Sequence, residues 1–252
     1  MIVKPAELMV CAAAREIKNT DVVIVGTRLP LLAFFLAKST HAPQAVGLFE
    51  SGLIRDDPAL DFIMTMCDPP NVTGATVCTS LRGIMGHLQQ GRVTVGFLGG
   101  AEVDVFGNLN TTRAGTVRLP GSGGGADAAC LAGRLVIMMT HQRRRLVKRV
   151  QYMTSPGWGD GPGWREDRGL EGGPSALVTT LGLFRFHPQT KRAVLTQVHP
   201  EVDLEAVRRE TGWHLEVAQD LRVTPLPTLA ELALIRRFDP LGFWTGRKQE
   251  SK

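Results

Sequence analysis

One carboxylate stands where an α/β sheet ordinarily places its ligands. Val46-Gly47-Leu48-Phe49-Glu50-Ser51-Gly52-Leu53-Ile54 runs apolar, then acidic, then small and glycine, then apolar again. The apolar flank is short enough for a buried strand, and Ser51-Gly52 is a turn signal. Glu50 therefore reads as a carboxylate at a strand end, where the chain turns. Ligands of parallel sheets lie outside the carboxyl ends of the strands, and a Glu there is costly to bury without a partner or a purpose. The alternative is a Glu that escapes to solvent and caps the next turn.

Other groups could meet an anion. Pro120-Gly-Ser-Gly-Gly-Gly125-Ala-Asp127 precedes a helix-like stretch from Ala128 to Arg134. Glycines before a helix N-terminus leave backbone N–H groups pointing one way, as an anion cradle or an oxyanion hole; a plain flexible turn is the other reading. As a dinucleotide fingerprint the run is weak, because no strand with the right spacing leads into it. Gly99-Gly100 ends another strand and permits close backbone approach. Arg28 follows the first strand in Thr27-Arg28-Leu29-Pro30 and is a candidate for a carboxylate or phosphate contact, or an exposed structural Arg. Glu102 and Asp104 could be a pair of buried acids, with structural hydrogen bonding as the default role.

These groups need elements to hold them. Residues 5–18 carry apolar residues at helical spacing. Asp21 to Gly26 is apolar throughout and reads as a buried parallel strand. Leu31 to Ser39 is a short helix, and the strand ending at Glu50 follows. Helix, strand, helix, strand is the alternation of an α/β sheet. Residues 55–80 are irregular, 80–91 helical, 93–98 a strand and 135–139 another. Strands are expected at 177–181, 183–186 and 193–196, and helices at 202–211 and 229–238. The expected fold is one open, mostly parallel, doubly wound sheet with additional strands toward the C-terminal part. No linker divides the chain, so 1–252 reads as a single domain with a frayed tail over 244–252.

Composition narrows the class. With 43% hydrophobic and 21% charged residues the chain resembles ordinary globular proteins. A formal charge of +5 favours anionic ligands but is too small and dispersed to argue for nucleic acid. Cys11, Cys67, Cys78 and Cys130 lack zinc or redox spacing, and reduced, mostly buried thiols are expected. Arg143-Arg144-Arg145 reads as a solvated helix end. No basic-then-apolar leader opens the sequence, and no apolar run approaches the ~18 residues that span a bilayer. A cytoplasmic protein without membrane contact is expected.

Phe49-Glu50-Ser51-Gly52-Leu53 resembles the active-site segment of the family I coenzyme A transferases, most closely the B (β) subunits of the glutaconate type. The resemblance extends along nearly the whole chain. Val25-Gly26-Thr27 with Leu29-Pro30, the strand and turn from Gly99 to Asn110, the glycine loop, and Tyr152-Met-Thr-Ser-Pro-Gly-Trp158 with Asp160-Gly-Pro-Gly163 all match. Glu102 departs from the family, where Gln is common at its position.

The resemblance implies a catalytic Glu50 that attacks an acyl-CoA and carries CoA as a glutamyl thioester in a ping-pong exchange with a free, glutaconate-like acid. It implies an active-site loop formed by Ser51, Gly52, Gly99 and Gly100, and oxyanion and CoA-binding roles for Gly123, Gly124 and Gly125. Arg28 is the candidate contact for a substrate carboxylate. Coenzyme A is substrate and covalent intermediate, with no permanent cofactor and no metal. The family's Gly-Gly-Phe motif is missing from this sequence, which implies an A (α) subunit that carries it and αβ pairs assembled into larger units. Competing readings are a CoA-ester hydrolase or decarboxylase of the same superfamily, a sugar-phosphate or ligand-sensing α/β domain, and a NAD-dependent oxidoreductase.

Overall fold

The structure, a computed structural model, describes residues 2–59 and 61–246. The chain divides into two compact units, Met1–Val95 with Leu226–Lys252, and Gly96–Pro225.

Unit 1 begins with α1 (Pro5–Ala14), β1 (Val22–Ile24), α2 (Leu29–Lys38) and β2 (Val46–Phe49). Both helices are apolar almost all round and accordingly buried. β1 and β2 pair in parallel, Val22 opposite Val46 and Ile24 opposite Leu48. β3 (Leu53–Arg55) and β4 (Val77–Cys78) then add antiparallel strands, with α3 (Pro69–Val72) between them and α4 (Leu81–Gln89) after. Ser80 caps α4 by accepting the Gly83 N–H at 3.2 Å.

Unit 2 holds five central elements of one sheet and its edge. β5 (Val95–Leu98), which starts at the unit boundary, leads to the small antiparallel pairs β6 (Glu102–Val103) with β7 (Leu109–Asn110), and β8 (Arg113–Ala114) with β9 (Val117–Arg118). α5 (Gly125–Leu131), β10 (Leu135–Met139), β11 (Pro174–Thr179), β12 (Gly182–Phe186), β13 (Ala193–Val198), α6 (Leu204–Glu210) and β14 (Glu216–Val223) follow. The sheet order is β5, β10, β11, β12, β13, β14. β5, β10 and β11 are parallel, β12 is antiparallel to both neighbours, and β13 and β14 are parallel. Ile137, Leu177, Phe184, Leu195, Val207 and Trp213 form a continuous core.

The chain then returns to unit 1 with α7 (Leu229–Phe238), closed at its start by a capping box of Thr228 and Glu231. α7 packs on α1 and α2. Phe238 meets Phe35 at 5.2 Å between ring centroids, and Arg236 forks onto the buried Glu7 carboxylate at 2.8 and 3.1 Å.

The α/β class and the parallel strands stand as the sequence predicted. Several local readings do not. Cys11 is buried, but Cys67 and Cys78 are exposed and Cys130 lies between; Cys67 falls in a loop and Cys78 on an edge strand. Arg143 to Arg145 form a turn rather than a helix end, because the N–H groups of Arg145 and Leu146 both return to the Gln142 carbonyl. β14 has no counterpart in the sequence reading. The tail lies outside the described residues from 247 on, while the backbone N–H groups of Trp244 and Thr245 donate to Asp239. Among the described residues no helix is long and apolar enough to cross a membrane.

At the carboxyl ends of β10, β11, β13 and β14, unit 2 buries a polar chain. His141 Nδ1 lies 3.0 Å from the Thr179 hydroxyl and its Nε2 3.1 Å from the Thr211 hydroxyl. His199 places Nδ1 2.9 Å from the Thr224 hydroxyl, and its Nε2–H donates to the Thr179 carbonyl at 2.8 Å. Burial, reinforced by the charge His199 would carry, pushes the His141 imidazole down to about 4. The unfolded imidazole protonates near 6.5, so the neutral form stabilises the fold fully above that pH, and this stability drains as pH falls toward 4. His141, with the His199 charge included, should contribute on the order of 3 kcal/mol. Urea unfolding of unit 2 followed between pH 7 and pH 4 should lose stability across that window, and His141→Gln should flatten the slope. An imidazole of His141 titrating near its ordinary pH by NMR would contradict the assignment.

Candidate functional site

In unit 1, β2 stops against α2. Gly47 has Phe34 so close that a Cβ there would lie 2.5 Å from the ring. Beyond Phe49 the chain turns through Glu50, Ser51 and Gly52, and β3 returns with Leu53 opposite Phe49. The Gly52 N–H donates to the Phe49 carbonyl at 2.9 Å. Gly52 takes a φ of +101°, and a Cβ there would lie 2.4 Å from the Thr79 carbonyl oxygen. The same approach lets the Thr79 N–H donate to the Gly52 carbonyl at 2.7 Å. Conformation and space thus each demand glycine. Glu50, the first residue of this turn, is half-buried.

The turn is braced by the loop after β3. Ser51 Oγ donates to the Met66 carbonyl at 3.2 Å, and the Asn71 side-chain amide donates to the same carbonyl at 2.7 Å. Arg55 organises that loop from inside. It is 1% exposed, and its guanidinium donates to the carbonyls of Asp57, Asn71, Thr73 and Pro58 at 2.6–3.0 Å. Burial pulls its pKa down, and Asp57 and Asp56 oppose that shift. A guanidinium stays charged regardless, and four charge-assisted bonds to carbonyls hold an irregular segment rigid.

Arg28 arrives at the same edge from β1. Val25 N–H donates to the Leu48 carbonyl at 2.9 Å, so the loop after β1 leaves beside the end of β2. Arg28 is exposed and adopts φ 70°, ψ −124°, a conformation that L residues rarely take. Its guanidinium carbon lies 5.1 Å from the centroid of the Trp244 ring. Among the described residues no carboxylate forms an ion pair with it. Unit 1 therefore brings Arg28, Glu50, Ser51 and Gly52 to the carboxyl ends of two adjacent parallel strands.

Unit 2 holds the glycine segments. Gly99 and Gly100 follow β5, and the Gly100 carbonyl accepts from Arg145 Nη1 at 3.3 Å. Gly123 (φ 49°) is exposed, Gly124 is buried and Gly125 opens α5. The Gly125 N–H donates to the Ser122 carbonyl at 2.9 Å, so the turn itself consumes one donor that the sequence offered. A Cβ on Gly125 would meet Ser155 Oγ at 3.4 Å, which seats the glycine loop on the Thr154-to-Trp158 run. The run is in turn fixed by buried polar groups. Asn108 Oδ1 accepts the Gly157 and Gly159 N–H groups at 2.8 and 3.0 Å, and its amide donates to both oxygens of the buried Asp104. Desolvation raises the Asp104 pKa, against the bonds it accepts from Asn108, Phe106 and Val150. Glu102 accepts from the Asn110 amide at 2.7 Å and from the Gln151 N–H at 3.0 Å, the structural role that its sequence setting suggested. Arg165, 1% exposed, donates to the carbonyls of Ala129, Gly157 and Glu171, and so ties α5 to the same run.

Sequence reasoning missed Arg55, Arg165 and Trp244. The first two look like surface arginines in polar stretches, and nothing local marks the carbonyls that converge on them. Trp244 fell in the stretch expected to fray.

The coenzyme A transferase family model matches residues 6–210. The chain is 37% identical over 239 residues to the β subunit of the 3-oxoadipate CoA-transferase of Pseudomonas knackmussii, covering 92% of each chain. It superposes on the crystal structure of glutaconate coenzyme A-transferase from Acidaminococcus fermentans with a TM-score of 0.90 and 32% identity, over 98% of both chains. The decarboxylase AibA/AibB is similar with a TM-score of 0.82 and 29% identity, over 96% of this chain and 97% of the other. A carboxylate at the end of a parallel strand, a glycine turn that fixes it and a match along most of the chain agree: the protein belongs to the coenzyme A transferase family, among its β subunits.

Proposed function

We propose that this chain carries the nucleophile of a transferase that moves CoA between an acyl-CoA and a free dicarboxylic acid. The observation that carries the reading is Glu50, half-buried in a rigid turn at the carboxyl end of β2. A Glu50 oxygen attacks the thioester carbonyl, the C–S bond breaks, and CoA leaves as a thiolate from a mixed anhydride. The thiolate then attacks the Glu50 carbonyl and expels the acid as a carboxylate. The glutamyl-CoA thioester is opened by a second carboxylate through the same steps reversed. No electrons or protons are left over, each intermediate holds the Glu50 carbonyl activated, and the exchange needs no base to generate its nucleophile.

Other residues take supporting roles. Arg28 meets the second carboxylate of the acid; the acids in the names of the 3-oxoadipate and glutaconate enzymes are both dicarboxylic. The glycine loop of Gly123, Gly124 and Gly125 receives the pantetheine arm of CoA, and Ser51, Gly52, Gly99 and Gly100 shape the surrounding loops. An anhydride hydrolyses in water, and Glu50 is partly open to solvent in this chain alone. An α subunit with the Gly-Gly-Phe motif covers it in the assembled αβ enzyme, which works in the cytoplasm.

Two experiments test this. The chain co-expressed with an α subunit, incubated with acyl-CoA and treated with borohydride, should show Glu50 reduced to the alcohol by mass spectrometry. Glu50→Ala should abolish both label and transfer. Absence of label, with CO2 released from a substrate acid, would move the assignment to decarboxylation; free CoA released without an acceptor would move it to hydrolysis. Gly52→Ala, strained in φ and pressed on Thr79, should displace Glu50 and lower kcat about a hundredfold with the complex still assembled. Unchanged kcat in that variant would separate the turn from the chemistry.

A further inference from the structure

The segment after α7 folds back as a hook. Asp239, 1% exposed, ends the helix, and its Oδ2 accepts from the Trp244 N–H at 3.1 Å, the Thr245 N–H at 2.9 Å and the Thr245 hydroxyl at 2.9 Å. Lys4 Nζ donates to the Gly246 carbonyl at 3.0 Å. These bonds set two rings on the loops of unit 1. Phe243 packs edge-on against Trp244, with centroids 4.4 Å apart and planes at 82°, and meets Phe62 at 6.1 Å. Trp244 in turn presents its face to the Arg28 guanidinium at 5.1 Å.

Two costs converge on that contact. Arg28 holds a backbone conformation that L residues rarely adopt. Trp244 Nε1 is buried with no hydrogen-bond partner among the described residues, so the indole is not placed for its N–H. What both costs produce is a guanidinium laid on a fixed aromatic face. Stacking leaves the N–H edge of the guanidinium available, and that edge matches a carboxylate in a two-pronged geometry.

We infer that Trp244 is a positioning residue that holds Arg28 for the distal carboxylate of a dicarboxylic acid, so that the hook sets selectivity for dicarboxylates over monocarboxylates. This rests on the transferase reading of the Glu50 edge. The test uses the αβ complex with glutarate and valerate, acids of equal length with two carboxylates and one. Trp244→Leu should lower the glutarate-to-valerate ratio of kcat/KM about tenfold, as expected for loss of a cation–π contact. Trp244→Phe, which keeps a ring face, should restore most of it. Arg28→Met, at an exposed site, should lower the ratio as well, and Trp244→Leu should add little to it, since the two side chains act as one unit. An unchanged ratio in Trp244→Leu and Arg28→Met overturns the inference, as does a change confined to the KM of acyl-CoA, which would place a CoA phosphate on Arg28.

Calorimetric titration of glutarate into the Glu50→Ala complex separates the two claims. Glutarate binding weakened by Trp244→Leu, with no Glu50 thioester trapped in the wild type, keeps the carboxylate site and removes the transferase reading. A trapped thioester with glutarate binding indifferent to Trp244 and Arg28 does the reverse.

Discussion

The backbone of Gly52 lies against the Thr79 carbonyl with 2.4 Å left for any Cβ, and the position of Glu50 depends on that close approach. A strand end is ordinarily a place of freedom, where side chains swing and turns fray. Here the turn between β2 and β3 is closed by its own hydrogen bond and clamped by Thr79 and Met66. A nucleophile that must meet a thioester carbonyl at one angle gains from this, because positional error of a fraction of an ångström is costly in rate. In the proposed reaction the glycine is the counterpart of the glutamate: one supplies the chemistry and the other removes its freedom.

The loops in both units are ordered by buried charge rather than by regular structure. Arg55 and Arg165 each commit a guanidinium to several backbone carbonyls. A buried charge costs several kcal/mol of desolvation, so such a residue is tolerated where the segment around it has carbonyls that no helix or strand will satisfy. Asp104 and Asn108 perform the mirrored task, accepting N–H groups from Phe106, Val150, Gly157 and Gly159. Each hub closes a set of backbone partners that would otherwise require water.

How much of this is legible in the sequence follows from where the information lies. α1, α2, β1 and β2 are announced by local periodicity, and Glu50 with Ser51-Gly52 is announced by a switch from apolar to turn residues; all of these are short-range signals. β14 gives only a broken signal, since Ala218 and Gln219 interrupt the alternation of Glu216, Asp220 and Arg222 with Val217, Leu221 and Val223, and half the strand faces solvent. Its pairing with β13 is carried by backbone bonds and by a register shift between Leu195 and Gln197. The division into two units is equally silent, because it falls between Val95 and Gly96 inside the apolar run of β5. Arg55 and Arg165 are hidden for a different reason: their partners are carbonyls, which every residue has. The Arg28–Trp244 contact spans most of the chain and has no sequence spacing at all.

A carboxylate nucleophile shifts the burden of catalysis away from proton transfer. Serine or cysteine requires a base held at hydrogen-bond distance and a third group to orient that base. A carboxylate brings its own nucleophilic oxygen, so a transferase built on Glu50 has no use for such a relay, and its demands on the architecture lie elsewhere. What the proposed reaction requires is a fixed turn, a cation for the far end of the acid and cover against water. Unit 1 places the turn of Glu50 and the exposed Arg28, the proposed cation, at the ends of β1 and β2. The third is what a chain without its companion leaves undone: Glu50 stays half-exposed, and an anhydride formed there would be lost to hydrolysis faster than it could be passed on. In the proposed enzyme, dependence on a second chain is then a consequence of the choice of nucleophile rather than an accident of assembly.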